Sequence, residues 1–283
     1  MGDQRGRRRD QLPAQLILTL PKLPRGRVPR GPFLSNRANR SFMDGPPDSL
    51  LVIDGLMAGY GKLPVLHDLS LAIARGSLTT VIGPNGAGKT TLVKAIVNIV
   101  DVMAGTITFD GKQISRRPAH EIAAEGIGFV PQTGNVFPNL TVAENLEMGC
   151  RFVADSDRAA AIAGAYQRFP RLRDRHRQRA RTLSGGERQM LAISSALLPD
   201  PKLLILDEPA TGLSPQLTDE VVKGIKAIND RGTTVLWVVE ENPRQVLAVA
   251  DTVHVMDGGR IKTSTSAAEL LAAPDFREIF LGV

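Results

Sequence analysis

Residues 78–91 read LTTVIGPNGAGKTT: a short strand-like run, a glycine-rich turn and the opening of an apolar helical stretch. Within it, Gly83-Pro84-Asn85-Gly86-Ala87-Gly88-Lys89-Thr90 matches the pattern G-x-x-x-x-G-K-[ST]. Holding phosphate demands this composition. Glycines let the backbone wrap closely, so that its N–H groups point inward at phosphate oxygens. A helix starting at about Thr90 and running to Val100 adds the positive end of its dipole. Lys89 is placed to reach the β- and γ-phosphates of a nucleotide, and the Thr90 hydroxyl to ligate Mg²⁺, with Thr91 directly behind. A plain glycine turn is the alternative, but it requires neither the full octet nor the strand–loop–helix setting.

Further along, Leu203-Leu204-Ile205-Leu206-Asp207-Glu208 joins a run of four apolar residues to two carboxylates. Such a strand is buried on both faces, and it delivers its acids to the C-terminal edge of the sheet, where open α/β folds bind ligands. There Asp207 would hold Mg²⁺ through water and Glu208 would polarise an attacking water. An Asp-Glu-Pro helix cap is the bland alternative, weakened by the phosphate loop upstream. The two motifs together specify a P-loop nucleotide hydrolase and leave its class open.

The surrounding texture specifies an α/β architecture. Leu69, Leu71 and Ile73 alternate with polar or small residues, as in a half-buried antiparallel strand. Thr106 to Phe109 followed by Asp110-Gly111 predicts a strand entering a tight turn, and Ile127 to Val130 predicts another strand. Residues 139–182 are mainly helical in pattern. After them, strand-like runs at Leu203–Leu206, Val235–Val239 and Val253–Met256 alternate with helical stretches at Pro215–Asn229 and Pro243–Ala250. That alternation is the mark of a parallel sheet covered by helices. The expected fold is a parallel-sheet core, an antiparallel β lobe in front of it, and a helical insertion at about 133–185.

Class is decided by Leu183-Ser184-Gly185-Gly186-Glu187, which opens a helix (Arg188 to Leu198) about twenty residues before the Asp-Glu strand. Here the chain resembles the ABC ATPase superfamily, whose signature is LSGGE or LSGGQ. Chemically this is a second anion-binding helix start, with the Ser184 hydroxyl and the Gly185 and Gly186 amides as donors. The resemblance implies that it faces the γ-phosphate of an ATP held by the phosphate loop of a second ATPase subunit. It further implies that Tyr60 stacks on adenine with Val65 nearby, and that Gln132 links Mg²⁺ and nucleotide to the helical insertion. The bland reading of Tyr60 is a core or surface tyrosine.

Within the superfamily, the chain most resembles the ATPases of branched-chain amino acid importers and their urea or amide relatives. The fragments concerned are Val136-Phe137, Leu140 to Leu146, Phe169-Pro170-Arg171-Leu172, Gln189 to Ile193, Val239-Glu240-Glu241-Asn242 and Phe280-Leu281-Gly282. This resemblance spans roughly residues 50–283. It implies an ATP-hydrolysing importer subunit on the cytoplasmic face of the inner membrane, with ATP and Mg²⁺ as nucleotide and cofactor. Its implied partners are two membrane permeases, a second ABC ATPase and, indirectly, an extracytoplasmic solute-binding protein. Two ATPs would close the dimer, and hydrolysis would reopen it. Other ABC ATPases, in export or outside transport, are the alternatives.

Two positions depart from the family pattern. Where many ABC ATPases place a histidine to contact the γ-phosphate, this chain has Glu241; a carboxylate there swings away, is protonated, or hydrolyses poorly. Ser214 stands where aspartate is usual. Both suggest an asymmetric heterodimer. His254, in the next strand, reads as a core residue rather than a substitute.

Composition supports these readings by exclusion. The net charge is +6, but ten of the 35 basic and four of the 29 acidic residues lie in residues 1–48, leaving 25 of each in the remainder. The basic character therefore belongs to that Pro-, Gly- and Arg-rich segment, and no nucleic-acid partner is expected for the domain at 49–283. Residues 1–48 cannot bury enough apolar area to fold, so they are expected to be a disordered extension, unless translation starts at Met43. No run approaches the roughly 20 apolar residues of a membrane span. The arginines from Arg171 to Arg181 carry no interleaved aromatics for base stacking, and read as a solvated face of the insertion. Cys150 is the single cysteine and reads as a small buried hydrophobe.

Overall fold

The computed structural model of the chain describes residues 48–240 and 243–273. Expectations for residues 1–47, for Glu241 and Asn242, and for Phe280 to Gly282 lie outside the described residues. Three strands, β1 (Ser49–Tyr60), β2 (Leu63–Ala74) and β4 (Asp101–Phe109), build an antiparallel sheet in the order β2-β1-β4, edged by the short β5 (Lys112–Gln113). Behind it, a six-stranded sheet is ordered β10-β9-β3-β8-β7-β6. Its strands are β3 (Leu78–Ile82), β6 (Ile127–Val130), β7 (Leu203–Asp207), β8 (Thr234–Val239), β9 (Thr252–Asp257) and β10 (Arg260–Ser266). The pairings β3·β8, β3·β9, β6·β7 and β7·β8 are parallel, and β10 returns antiparallel along the edge.

β3, β7 and β8 are buried at every position, because helices and the antiparallel lobe cover opposite faces. The period of two divides their side chains cleanly. Val81, Ile205, Leu236 and Val238 face the core shared with α1 (Lys89–Ile96) and the antiparallel sheet. Ile82, Leu204, Leu206 and Trp237 face α6 (Gly185–Leu197) and α7 (Pro215–Asn229). A salt-bridge cluster ties the two sheets together: Asp110, just after β4, meets Arg75 at 2.7 Å and Lys202, just before β7, at 2.5 Å. The Lys202 and Arg75 hydrogen bonds hold the Asp110 carboxyl down at about 2.

Between β6 and β7 lies the helical lobe of α3 (Val142–Gly149), α4 (Arg158–Arg168) and α5 (Pro170–Asp174), with 3₁₀ turns at Cys150–Phe152 and Ala180–Thr182. Its core includes Val142, Leu146, Cys150, Leu172 and Ala180. α6 contributes to two cores at once, Ala192 and Ile193 toward the sheet and Met190, Leu191 and Leu198 toward the lobe. Anything that moves the lobe therefore pulls on α6.

Local outcomes differ from the sequence reading in identifiable ways. The helix expected over Thr90–Val100 stops at Ile96, because Asn98 adopts a left-handed φ of 54° and Ile99 N–H closes onto the Lys94 carbonyl at 2.8 Å. The helix expected from Arg188 begins at Gly185, drawn back by the Ser184 cap. The run expected over Pro243–Ala250 is helical only to Leu247. Cys150 and His254 are buried, at 0% and 1% exposed. Among the described residues, no helix is long and apolar enough to cross a membrane.

Candidate functional site

The phosphate loop joins β3 to α1 and is shaped by glycines where only glycine fits. Gly86 and Gly88 take φ of 79° and 99°, and a Cβ on Gly83 would lie 2.1 Å from the Met256 carbonyl oxygen of β9. Pro84, Asn85 and Gly86 form an exposed crest over the buried Ala87, Gly88 and Lys89. α1 has no side-chain cap and no acid in its first turn. By contrast α3, α6 and α9 (Ala267–Ala272) close their N-termini with capping boxes. The bare start of α1 thus keeps its amides and dipole for an anion.

Lys89 is 4% exposed, and its Nζ donates to the carbonyls of Gly83 at 2.8 Å and Pro84 at 3.0 Å. Burial pulls its pKa below the ordinary lysine value, opposed by the nearby Glu240, Glu208 and Asp207 carboxylates. The Thr90 hydroxyl donates to Asp207 Oδ1 at 3.2 Å, which partly counters the upward shift that burial imposes on that carboxyl. Two oxygen donors at this separation suit Mg²⁺, which takes one or two protein oxygens and completes its shell with phosphate and water.

Glu208 follows β7 in a left-handed conformation, φ 51°, with its N–H on the Val238 carbonyl at 3.1 Å. A non-glycine residue at positive φ is strained, and strain of this kind collects at working sites. Glu208 Oε2 accepts from Gln132 Nε2 at 2.7 Å and from Thr211 Oγ1 at 3.2 Å. Burial, then the hydrogen-bonded Glu240 carboxylate, pushes its pKa up to about 7.

Lys89, Thr90, Gln132, Asp207 and Glu208 therefore converge on one edge of the sheet. Tyr60 ends β1 half exposed, with Lys94 Nζ 6.0 Å from its ring centroid. Ser184 caps α6, and Gly186 has no room for a side chain larger than hydrogen without pressing on Leu217 at 3.0 Å. The side-chain hydrogen bonds of Ser184 and Glu187 run to each other's backbone, and Glu187 also meets Arg175 at 2.6 Å. Ser214 caps α7 by accepting from Leu217 N–H, so its departure from aspartate has a local reason: both residues cap well.

Several contributors were not visible beforehand. Glu240 comes beside Glu208 only because β7 and β8 pair in register, Asp207 opposite Val238. Gly259 donates its N–H to the Ala87 carbonyl at 2.9 Å, so the β9–β10 turn braces the phosphate loop. Asn135 Nδ2 donates to Gln189 Oε1 at 3.1 Å, joining the segment after Gln132 to α6. The adjacent strand ends and the Gly258-Gly259 pair are the signals that could have found the first two.

Comparison with known proteins gives the family. Residues 66–211 match the ABC transporter family. The chain is 40% identical over 233 residues to the high-affinity branched-chain amino acid transport ATP-binding protein BraG of Pseudomonas aeruginosa, covering 82% of this chain and 100% of that protein. It is 33% identical to the lipopolysaccharide export system ATP-binding protein LptB of Escherichia coli K12, covering 82% and 97%. A solved ATP-binding cassette of an ABC transporter in its ADP conformation superposes with TM-score 0.72 at 26% identity, covering 83% of this chain and 99% of that one.

Proposed function

The chain belongs to the ABC transporter family as an ATP-hydrolysing transport ATPase, and from that premise we propose that it powers an importer of branched-chain or related amino acids, amides or urea. The observation that carries the ATPase part is the convergence of Lys89, Thr90, Asp207, Gln132 and Glu208 at one sheet edge. The importer part rests on the 40% identity to BraG.

In this reading the loop amides from Gly83 to Thr91 cradle the phosphates of ATP, and Tyr60 stacks on the adenine. Lys89 leaves the Gly83 and Pro84 carbonyls for the β- and γ-phosphate oxygens. Thr90 and Asp207 hold Mg²⁺, which when bound neutralises charge on the phosphates, and Gln132 reaches the same centre. Glu208 takes a proton from the attacking water as its oxygen bonds the γ-phosphorus; the bond to the β-phosphate oxygen breaks, giving ADP and phosphate. Gln132, released from Glu208 by nucleotide, passes the change to the helical lobe. The lobe exposes Phe137 (52%), Met148 (53%) and Phe152 (43%), an apolar surface suited to helices of two membrane permeases. The chain would then sit peripherally on the cytoplasmic face, with a solute-binding protein acting from the far side.

A second ATPase subunit completes the site through Ser184, Gly185, Gly186 and Glu187. Since Ser214 is explained by capping, Glu241 alone favours a heterodimer over a homodimer. A second reading, export, draws on the 33% identity to LptB. Uptake separates the two. Cells whose only copy carries Glu208→Gln should lose ATP-driven uptake of labelled leucine, isoleucine, valine or their amide and urea relatives by at least about tenfold. Unchanged uptake of all of them would reject the importer assignment.

A further inference from the structure

The arginine-rich stretch 171–181 is mostly exposed, yet one member is engaged where the signature segment begins. Arg175 Nε lies 2.6 Å from Glu187 Oε1, while Arg175 Nη1 donates to Gln178 Oε1 at 3.1 Å, which fixes the guanidinium. Glu187 is only 8% exposed, and its other oxygen accepts from the Ser184 N–H at 2.9 Å. A second arginine, Arg171, pairs with Glu220 of α7 at 3.5 Å. Burial raises the Glu187 pKa, but the Ser184 amide and hydroxyl, then Arg175 and Arg171, more than offset it, so the carboxyl stays ionised.

This arrangement sets a problem and solves it. A helix start favours an anion through its amides and dipole. An ionised carboxylate in that same first turn repels an incoming phosphate, most strongly where an interface excludes water. Signature segments with glutamine at this position carry no such charge; this chain has Glu187.

We propose that Arg175 is a positioning residue of the signature segment, neutralising Glu187 so that the start of α6 accepts the γ-phosphate of an ATP held by the opposing subunit. The inference rests on the sandwich reading above, in which Ser184 to Gly186 face that phosphate. Arg175 does not touch the nucleotide itself. It acts through Glu187 and, through it, Ser184.

A double-mutant cycle on the assembled transporter tests it, with KM for ATP and kcat read separately. Arg175→Ala should raise KM about tenfold with kcat changed less than about twofold, since the lost interaction concerns closing on ATP rather than the chemical step. In the Glu187→Gln background the same substitution should change KM less than about twofold, and Arg175→Lys should keep most of the parent affinity. If Arg175→Ala raises KM equally in both backgrounds, Arg175 merely holds the lobe together and the proposal is overturned. Ser184→Ala separates the two levels of failure. If it leaves KM unchanged, the sandwich reading itself falls; if it raises KM while the cycle is additive, only the role of Arg175 falls.

Discussion

Glu208→Gln should lower ATP turnover by at least about 100-fold while leaving ATP binding intact. The amide keeps a hydrogen-bonding oxygen for Gln132 and Thr211, now at 2.7 Å and 3.2 Å, but has no basic site for the proton of the attacking water. The same substitution should also change stability, with a pH signature that marks burial as the cause. The folded chain holds the Glu208 proton up to about 7 against an ordinary value near 4.5. The folded state thus binds more protons than the unfolded state between those limits, and the parent loses stability as pH rises across them. Glutamine cannot ionise, so the variant's advantage should be absent near pH 4 and grow through that window. Thermal midpoints measured at pH 5 and pH 8 check the sign. A variant less stable than the parent at pH 8 would show that Glu208 is not an ionisation cost in the resting site. For the parent, kcat/KM should rise with pH through about 7, as a base that must first lose its proton requires.

Gly83→Ala should destroy the phosphate site without touching any catalytic side chain. The new methyl would sit 2.1 Å from the Met256 carbonyl oxygen, in β9, which pairs with β10 at Met256 and with β3 up to the adjacent Val255. Neither strand can yield without breaking ladder hydrogen bonds, so the loop must lift away from the sheet. We expect ATP affinity to fall at least about 100-fold and stability by about 3 kcal/mol, the upper range for overpacking. Gly86→Ala is the matched comparison. It takes a φ of 79° but meets no atom within 4 Å, so only local strain of about 1 kcal/mol applies. Calorimetric titration with ATP and a thermal melt on both variants distinguish steric exclusion from strain. Equal losses in the two would mean that the approach to Met256 is not what demands glycine.

Much of this molecule can be read from its residues, for definite reasons. β3 and β7 are short runs buried on both faces, and the motifs attached to their ends carry chemistry that few other sequences need. α7 begins at Pro215 after a serine cap, and the sequence reading placed both of its ends correctly. β1 was not anticipated. Its alternation is broken by Gly55, at φ 57°, and by repeated shifts in its register with β2 and β4. β10, RIKTSTS, is an edge strand with little apolar signal. The extent of α1 failed by four residues because Asn98 reverses the chain where hydrophobicity continues.

The site divides in the same way. Residues proposed to touch phosphate or metal lie in contiguous motifs and are legible locally. Residues that tune them come from other strands and lobes: Glu240 from the end of β8, Gly259 from the β9–β10 turn, Arg175 from a stretch that reads as solvated surface. Their effect depends on register and packing, which no local window contains. The family pattern pointed to Glu241, which lies outside the described residues, while no local motif marked Glu240, the carboxylate beside Glu208.

The central claim is that this ATPase drives an importer through membrane partners. Its most direct test is to tag the chain at its C-terminus, extract native membranes in mild detergent, and identify stoichiometric partners by mass spectrometry. The account predicts two hydrophobic permeases of the amino-acid importer type with one further ATPase chain, identical or different. Recovery alone in the soluble fraction, or with the permeases of an export system, would contradict it.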